Sequence, residues 1–124
     1  MSTISPTVRS VDPDASITFL RDAFGFAEGM VHRDPDGRVA HAELWFGDDA
    51  VMLGASGDAS TSTASVYVVV DDPDAHHDRA KAAGAEITMP LTDQDYGSRD
   101  YGALDRDGNT WFFGTYRPQR PAAS

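Results

Sequence analysis

The feature that most constrains the fold is an internal repeat with a period of about sixty residues. Asp12-Pro13-Asp14-Ala15 returns as Asp72-Pro73-Asp74-Ala75, and each copy opens a helical pattern that ends at a glycine, Gly25 or Gly84. Asp and Pro are typical of the helix N-cap and first turn, and glycine is typical of the residue that follows the last turn. Internal repetition of this kind predicts a chain built from two similar units.

Strand-like segments surround each predicted helix in the same order. The candidate strands are Ile4–Val11, Glu28–Arg33, Arg38–Phe46 and Asp49–Gly54 in the first unit, and Ser65–Val70, Glu86–Pro90, Tyr101–Leu104 and Thr110–Tyr116 in the second. Turn signals such as Asp-Gly and Gly-Asn separate several of them. The sequence therefore predicts an α+β fold of two βαβββ modules, about 4–56 and about 65–117, within a single domain of residues 1–124.

Each module is expected to curl its strands into a curved mixed sheet, with the helix on the convex face and a concave pocket on the other. In the run that begins at His41, the even-numbered positions are apolar and are expected to face the helices. His41, Glu43 and Trp45 would then face the hollow. Trp111 and Phe113 alternate the other way and are expected in the core beneath the helices.

Composition narrows the class of partner. Twenty carboxylates against ten Lys and Arg residues give a net charge of −10, which is unfavourable for binding nucleic acid. No apolar run has membrane-spanning length, and the N-terminus has no basic-then-apolar leader pattern. The chain has no cysteine and hence no disulfide framework. We therefore expect a cytoplasmic protein that binds neither nucleic acid nor a membrane.

Several short motifs carry a resemblance to a known family. They are Val11-Asp12 with Phe19-Leu20-x-x-Ala23-Phe24-Gly25-Phe26, Val70-Asp71-Asp72 with Ala82-Ala83-Gly84-Ala85, and Asp105-x-Asp107-Gly108-Asn109. Together they resemble the vicinal oxygen chelate superfamily, which includes glyoxalase I, extradiol dioxygenases, fosfomycin-resistance enzymes and bleomycin-resistance proteins. The resemblance spans Ile4–Tyr116 and implies paired βαβββ modules.

The resemblance also implies four ligand positions for a divalent metal, two in each module. In this sequence they fall at Ser5, Leu53, Ser65 and Phe112. None of these is a histidine or a carboxylate, and such side chains do not bind zinc, nickel or iron usefully. The resemblance therefore points to the metal-free, bleomycin-resistance-like branch, with no cofactor. Because relatives of that branch build their sites between two chains, it also implies a homodimer.

The same placement gives candidate pocket residues. Leu53 and Phe112 are expected to face the hollow together with Trp45 and Tyr67, and such a lining suits a flat or apolar ligand. The alternative is that these side chains fill the hollow themselves. Arg9 is also expected to reach the hollow.

Each polar residue that is a candidate for ligand binding has two interpretations. Arg9 would either contact a ligand or pair with Glu43. His41 and Glu43 on one strand face suit two metal ligands or an acid/base pair. Near the last hairpin, Arg99 offers a planar cation and Tyr101 a stacking face; the alternative is that Arg99 pairs with one of the many carboxylates.

These observations favour a metal-free small-molecule binding protein that sequesters an aromatic or apolar ligand, an antibiotic being one candidate, with Glu43 and Arg9 orienting it. The second hypothesis is a metal-dependent lyase, isomerase or dioxygenase with a relocated site at His41 and Glu43. The third is an interaction protein whose hollow is filled by its own side chains. Metal content distinguishes the second hypothesis, and a ligand-induced rise in thermal stability argues against the third.

Overall fold

The computed structural model describes residues 5–55, 64–95 and 97–117. Module 1 contains β1 (Thr7–Ser10), α1 (Pro13–Phe24), β2 (Ala27–Arg33), β3 (Val39–Phe46) and β4 (Asp49–Ala55), and module 2 contains β5 (Ser65–Val69), α2 (Pro73–Ala82), β6 (Glu86–Asp93), β7 (Arg99–Leu104) and β8 (Thr110–Gly114). Sheet 1 has the order β1-β4-β3-β2 and sheet 2 the order β5-β8-β7-β6. The first strand of each module is parallel to its neighbour, and the other pairs are antiparallel. The predicted α+β fold of two βαβββ modules is confirmed.

Both helices begin as the repeat predicts. The side chains of Asp12 and Asp72 each accept a hydrogen bond from the backbone N–H three residues later, at 3.2 and 3.1 Å. Gly25 ends α1 in the left-handed conformation with φ of 82°, and Gly84 adopts φ of 93° just after α2. Glycine adopts this conformation without the steric cost that a Cβ brings. No helix in the described ranges is long and apolar enough to cross a bilayer.

One face of each sheet packs on the helices and forms the core. Its fully or almost fully buried residues are Val8, Ala42, Leu44, Val51 and Leu53 in sheet 1 and Tyr101, Ala103, Trp111 and Phe113 in sheet 2. The ring of Phe24 in α1 lies 5.7 Å from that of Trp111 and 4.9 Å from that of Phe113, measured between centroids. Because a helix of module 1 packs on strands of module 2, the two modules share one core.

The prediction that Leu53 faces the hollow is wrong. Leu53 is 1% exposed and lies opposite Ala42, on the helix-facing side of sheet 1. The turn between β3 and β4 has only two residues, and the resulting register pairs odd-numbered residues of β4 with even-numbered residues of β3. Since side chains alternate along a strand, Met52 and Gly54 take the opposite face instead.

Tyr101 is not at the surface either, which corrects its predicted role as a stacking face. It is fully buried opposite Phe113. Its hydroxyl lies 2.5 Å from Nδ1 of His76, and Nε2 of the same imidazole lies 2.8 Å from the carbonyl oxygen of Phe24. Burial raises the pKa of the Tyr101 hydroxyl and, as the largest cause, lowers the pKa of His76. This network ties α2 to β7 and to the end of α1.

Candidate functional site

The face of each sheet opposite the helices is called here its open face. Strand registers place Arg9, His41, Glu43, Trp45, Met52 and Gly54 on the open face of sheet 1, and Tyr67, Asp100, Gly102, Phe112 and Gly114 on that of sheet 2. Six of the nine predicted ligand residues are in this set, and Leu53, Arg99 and Tyr101 are not. Four of the predicted binding residues therefore share the open face of sheet 1, and two share that of sheet 2.

The indole of Trp45 packs against strand β2 at Gly29, where a larger residue would leave it no room. A Cβ on Gly29 would be 2.6 Å from Nε1 and 2.8 Å from Cδ1 of Trp45, well inside van der Waals contact. The indole nevertheless remains 40% exposed. The result is an aromatic surface that packs on the sheet with one side and leaves much of its area to solvent.

Phe112 repeats this arrangement on sheet 2. A Cβ on Gly102 would be 3.1 Å from Cε1 and 3.2 Å from Cδ1 of the Phe112 ring, so the ring also packs over a glycine in the neighbouring strand. Tyr67 lies beside Phe112 in the register and is 39% exposed. Each open face thus carries an aromatic ring that rests on a glycine.

A buried carboxylate, which the sequence interpretation missed, holds Tyr67. Asp100 is 2% exposed and accepts hydrogen bonds from the Tyr67 hydroxyl at 2.8 Å, from Ser98 Oγ at 3.0 Å and from Gln94 Nε2 at 2.9 Å. Three donors compensate for the lost hydration of this carboxylate. The available signal was the Ser98-x-Asp100 spacing, which brings a hydroxyl just before β7 to the carboxylate at its second residue.

Arg99 pairs with carboxylates, which was the second of its two predicted interpretations. Its guanidinium donates to Asp74 of α2 at 2.7 Å and to Asp93 at 3.2 Å, so it reaches the helix side and not the open face. Hydrogen bonding to Arg99 lowers the pKa of the Asp74 carboxyl below its ordinary value of 3.8, and the same pair raises the pKa of Arg99. Arg99 therefore links β7 to α2 and the end of β6.

Polar groups on the open face of sheet 1 form a row across the strands. His41 has His32 opposite it on β2 and Gly54 on β4, and Arg9 follows on β1. The Nη1 atom of Arg9 is 3.9 Å from the position that a Cβ on Gly54 would take, so the guanidinium extends over this gap. Glu43 lies on the same face two residues beyond His41. The open face of sheet 1 thus carries an imidazole, a guanidinium and a carboxylate, with Glu43 two residues from Trp45 along β3 and Arg9 two strands away.

The positions that the family resemblance assigned to metal ligands do not converge on a ligand set. Phe112 is on the open face of sheet 2, Ser65 is at the start of β5 opposite Thr110, Leu53 is in the core and Ser5 precedes β1. Within the described ranges, no three His, Cys, Asp or Glu side chains are grouped so that they could share an ion.

A cavity lies elsewhere, between the two modules. It has a volume of about 920 Å³ and is lined by the β3–β4 hairpin, β5 and the start of α2. Of the predicted ligand residues, only Tyr67 contributes to its wall. No pattern in the sequence indicated this cleft, because it depends on how the modules pack against each other.

The sequence matches a known protein family and several individual proteins. The model of the Glyoxalase/Bleomycin resistance protein/Dioxygenase superfamily matches residues 4–113. An uncharacterised protein of Mycobacterium tuberculosis strain H37Rv is 32% identical, over 90% of this chain and 72% of the relative.

Two solved structures illustrate the similarity of fold. TioX from Micromonospora sp. ML1 has a TM-score of 0.82 and 32% identity, over 93% of this chain and 98% of TioX. The bleomycin-binding protein of bleomycin-producing Streptomyces verticillus, in complex with copper(II)-bleomycin, has a TM-score of 0.73 and 23% identity, over 94% of this chain and 98% of that protein. At 23% identity the likeness shows the fold alone.

Proposed function

Because this chain belongs to the Glyoxalase/Bleomycin resistance protein/Dioxygenase superfamily, we propose that it is a metal-free binding protein that sequesters a small aromatic or apolar molecule on its open sheet faces. Sequestration makes and breaks no bond. It requires only that burial and stacking of the ligand outweigh the loss of its freedom. An antibiotic is one candidate ligand, since a protein of the same fold binds bleomycin.

The observation that carries the proposal is the pair of aromatic rings that rest on glycines. Trp45 over Gly29 and Phe112 over Gly102 are held against the strands by close packing, so little side-chain freedom remains to be lost when a flat ligand stacks on them. Offset stacking of aromatic rings contributes about 0.5–1.5 kcal/mol beyond simple burial. Two fixed platforms on one chain suit a ligand with planar or apolar groups.

We assign orientation of the ligand to the polar side chains on the open face of sheet 1. Arg9 offers a planar cation with several N–H donors, and Glu43 offers an acceptor on the same face. His41 lies between them in the register. A ligand that stacks on Trp45 can therefore meet both a donor and an acceptor without leaving the sheet surface.

A homodimer is part of the proposal. Within the described ranges, large side chains of both sheets are exposed, including Trp45, Tyr67 and Met30. Apposing the open faces of two copies would bury these groups and enclose a ligand between them. The acidic, cysteine-free composition suits a cytoplasmic location for such a dimer.

The test is a thermal-shift and titration screen with metal-free bleomycin, copper(II)-bleomycin and a panel of planar aromatic natural products. A ligand that binds only the folded state must raise the melting temperature. We expect Trp45→Ala and Phe112→Ala to weaken binding by about tenfold each, and Val11→Ala, which shortens an exposed apolar side chain outside both open faces, to leave it unchanged.

Two results would contradict the proposal. One is equal affinity in Trp45→Ala, Phe112→Ala and the unsubstituted protein. The other is a stoichiometric metal in the natively purified protein, measured by elemental analysis, that is lost in His41→Ala. The second result would favour the relocated metal site at His41 and Glu43.

A further inference from the structure

The two halves of the repeat differ at the junction between the modules. In one half, the five-residue turn between β7 and β8 packs against the end of β1 and the start of α1. The Asp107 carboxylate accepts hydrogen bonds from the backbone N–H of Val11 at 3.0 Å and from Ser16 Oγ at 2.8 Å. Asn109 Nδ2 donates to the carbonyl oxygen of Arg9 at 3.2 Å. This turn fills the junction with polar contacts.

The other half has no such filling. By the same repeat, the turn between β3 and β4 should meet the end of β5 and the start of α2, but it has two residues, Gly47 and Asp48, where its counterpart has five. The cavity of about 920 Å³ lies at this junction. His76, sixty positions after Ser16, lines the cavity where Ser16 is covered by Asp107. The cavity therefore lies where module 1 has no counterpart of the polar turn that fills the other junction.

The walls of this intermodule cleft are polar and apolar in similar measure, and the apolar part comes from several large side chains. They include Phe26, Phe46, Val51, Val66, Val68 and Val70. The rings of Phe26 and Phe46 contact each other at 5.2 Å between centroids. A volume of this size is within the range of pockets that enclose small organic ligands, about 300–1,000 Å³.

The charged groups around the cleft are predominantly acidic. Four aspartates line it, Asp48, Asp49, Asp71 and Asp72, against Arg79 and Arg117. Arg79 is held by module 1, since it donates to the backbone carbonyl oxygens of Arg21 and Asp22 at 3.1 and 3.2 Å, and Arg117 lies 4.0 Å from Asp71.

The carboxylates of the short turn remain available. Asp72 is used as the N-cap of α2, where it accepts a hydrogen bond from the backbone of Ala75. Asp48 and Asp49 have no side-chain hydrogen bond or ion pair with any residue in the described ranges, and both are exposed at the edge of the cleft. Two adjacent carboxylates above an apolar wall favour a cation over an anion.

We propose that the intermodule cleft is a second ligand site, which shares Tyr67 with the open face of sheet 2, and that it takes an organic cation with an aromatic or apolar body. The valines and phenylalanines would bury the body, and Asp48 and Asp49 would face the ammonium group. The partly exposed ring of Phe46 offers a face that attracts a cation as well as apolar area. The site depends on neither Trp45 nor Phe112, so it stands or falls independently of the proposed function.

The probe is 1-naphthylmethylammonium, compared with the neutral 1-naphthalenemethanol and the anionic 1-naphthoate. Methyl NMR spectra of protein labelled at valine and methionine locate each probe, because Val68 and Val70 line the cleft while Met52 is on the open face of sheet 1. We expect the ammonium probe to shift the valine signals and leave Met52 unchanged. Its affinity is expected to exceed that of the alcohol by about fivefold or more.

Two variants make the site testable on a folded protein. Asp48→Asn with Asp49→Asn should remove the preference for the cation while leaving the alcohol unaffected, and Asp36→Asn, in an exposed turn that does not line the cleft, should leave both affinities unchanged. Ala75→Phe, on an exposed position of α2 that lines the cleft, should reduce binding of all probes at least tenfold.

Three results would overturn the proposal. They are equal affinity for the three probes, an ammonium-induced shift confined to Met52, and valine signals that change with protein concentration and not with probe. The last result would mean that the cleft is an interface between two copies of the chain.

Discussion

The sharpest test of the aromatic platform on sheet 1 is the substitution Gly29→Ala. The added Cβ would lie 2.6 Å from Nε1 and 2.8 Å from Cδ1 of Trp45, and 3.1 Å from the carbonyl oxygen of Glu43. Non-bonded carbon contacts are optimal at about 3.5–4.0 Å. The Glu43 carbonyl is part of the paired sheet and has little freedom to move. The indole must therefore lift away from β2.

The expected cost in stability is modest. Overpacking typically costs about 1–3 kcal/mol, and Trp45, which is 40% exposed, can move into solvent, so we expect about 1 kcal/mol. For a chain of this size that corresponds to a fall in melting temperature of about 4 °C. The effect on binding should be larger in relative terms. Loss of one fixed stacking contact of about 0.5–1.5 kcal/mol weakens affinity by about 2- to 13-fold.

Urea unfolding and acrylamide quenching of tryptophan fluorescence measure the two effects. The chain has two tryptophans, and Trp111 is fully buried, so an increase in quenching reports Trp45. Gly54→Ala is the matched control, because its Cβ would lie 3.7–4.0 Å from its neighbours on the same open face. We expect it to leave quenching unchanged. If Gly29→Ala leaves both quenching and stability unchanged, Trp45 does not rest on Gly29.

Three further substitutions test the framework around the site, each by urea or thermal unfolding. Burial keeps the pKa of His76 below 6.5, so the unfolded chain binds more protons than the folded chain at pH values just below 6.5. The free energy of unfolding should therefore fall as the pH is lowered below 6.5. The fall should be smaller in His76→Gln. Asp107→Ala should cost about 2 kcal/mol, because it removes two hydrogen bonds that join the modules, whereas the exposed Asp36→Ala should have no measurable effect. Gly114→Ala should cost about 3 kcal/mol or more, because its Cβ would clash with that of Asp100. An unchanged pH profile in His76→Gln, equal stabilities of the two aspartate variants, or a melting temperature of Gly114→Ala equal to that of the unsubstituted protein would each contradict the corresponding argument.

Local signals were sufficient to predict the topology. Capping aspartates, prolines in the first turn and left-handed glycines act within a few residues of their own position, and they are visible twice in this sequence. Alternation predicted which residues of β3 face the helices, and burial of Ala42 and Leu44 confirms it. The open-face placement of Trp45 follows from the same alternation.

Predictions that depended on register or on distant partners were less accurate. Leu53 was placed on the wrong face because the phase of β4 is set by a turn of two residues, and a shift of one position reverses every side chain. Tyr101 was predicted to offer a stacking face because it lies near the last hairpin together with Arg99. In the fold, its hydroxyl is satisfied by His76, twenty-five residues away in sequence. No short-range pattern reveals such a partner.

The segment Asp105–Asn109 shows why a family motif need not mark a functional site. The Asp105 carboxylate accepts hydrogen bonds from Trp111 Nε1 at 3.0 Å and from Asn109 Nδ2 at 2.9 Å, while Asp107 binds the start of α1. These contacts close the turn and join the modules, so their loss should reduce stability before it affects a ligand. In module 1 the corresponding turn is three residues shorter, and a cleft is present at that junction. The difference between the two copies, and not the residues they share, is therefore the better guide to where a ligand has room to bind.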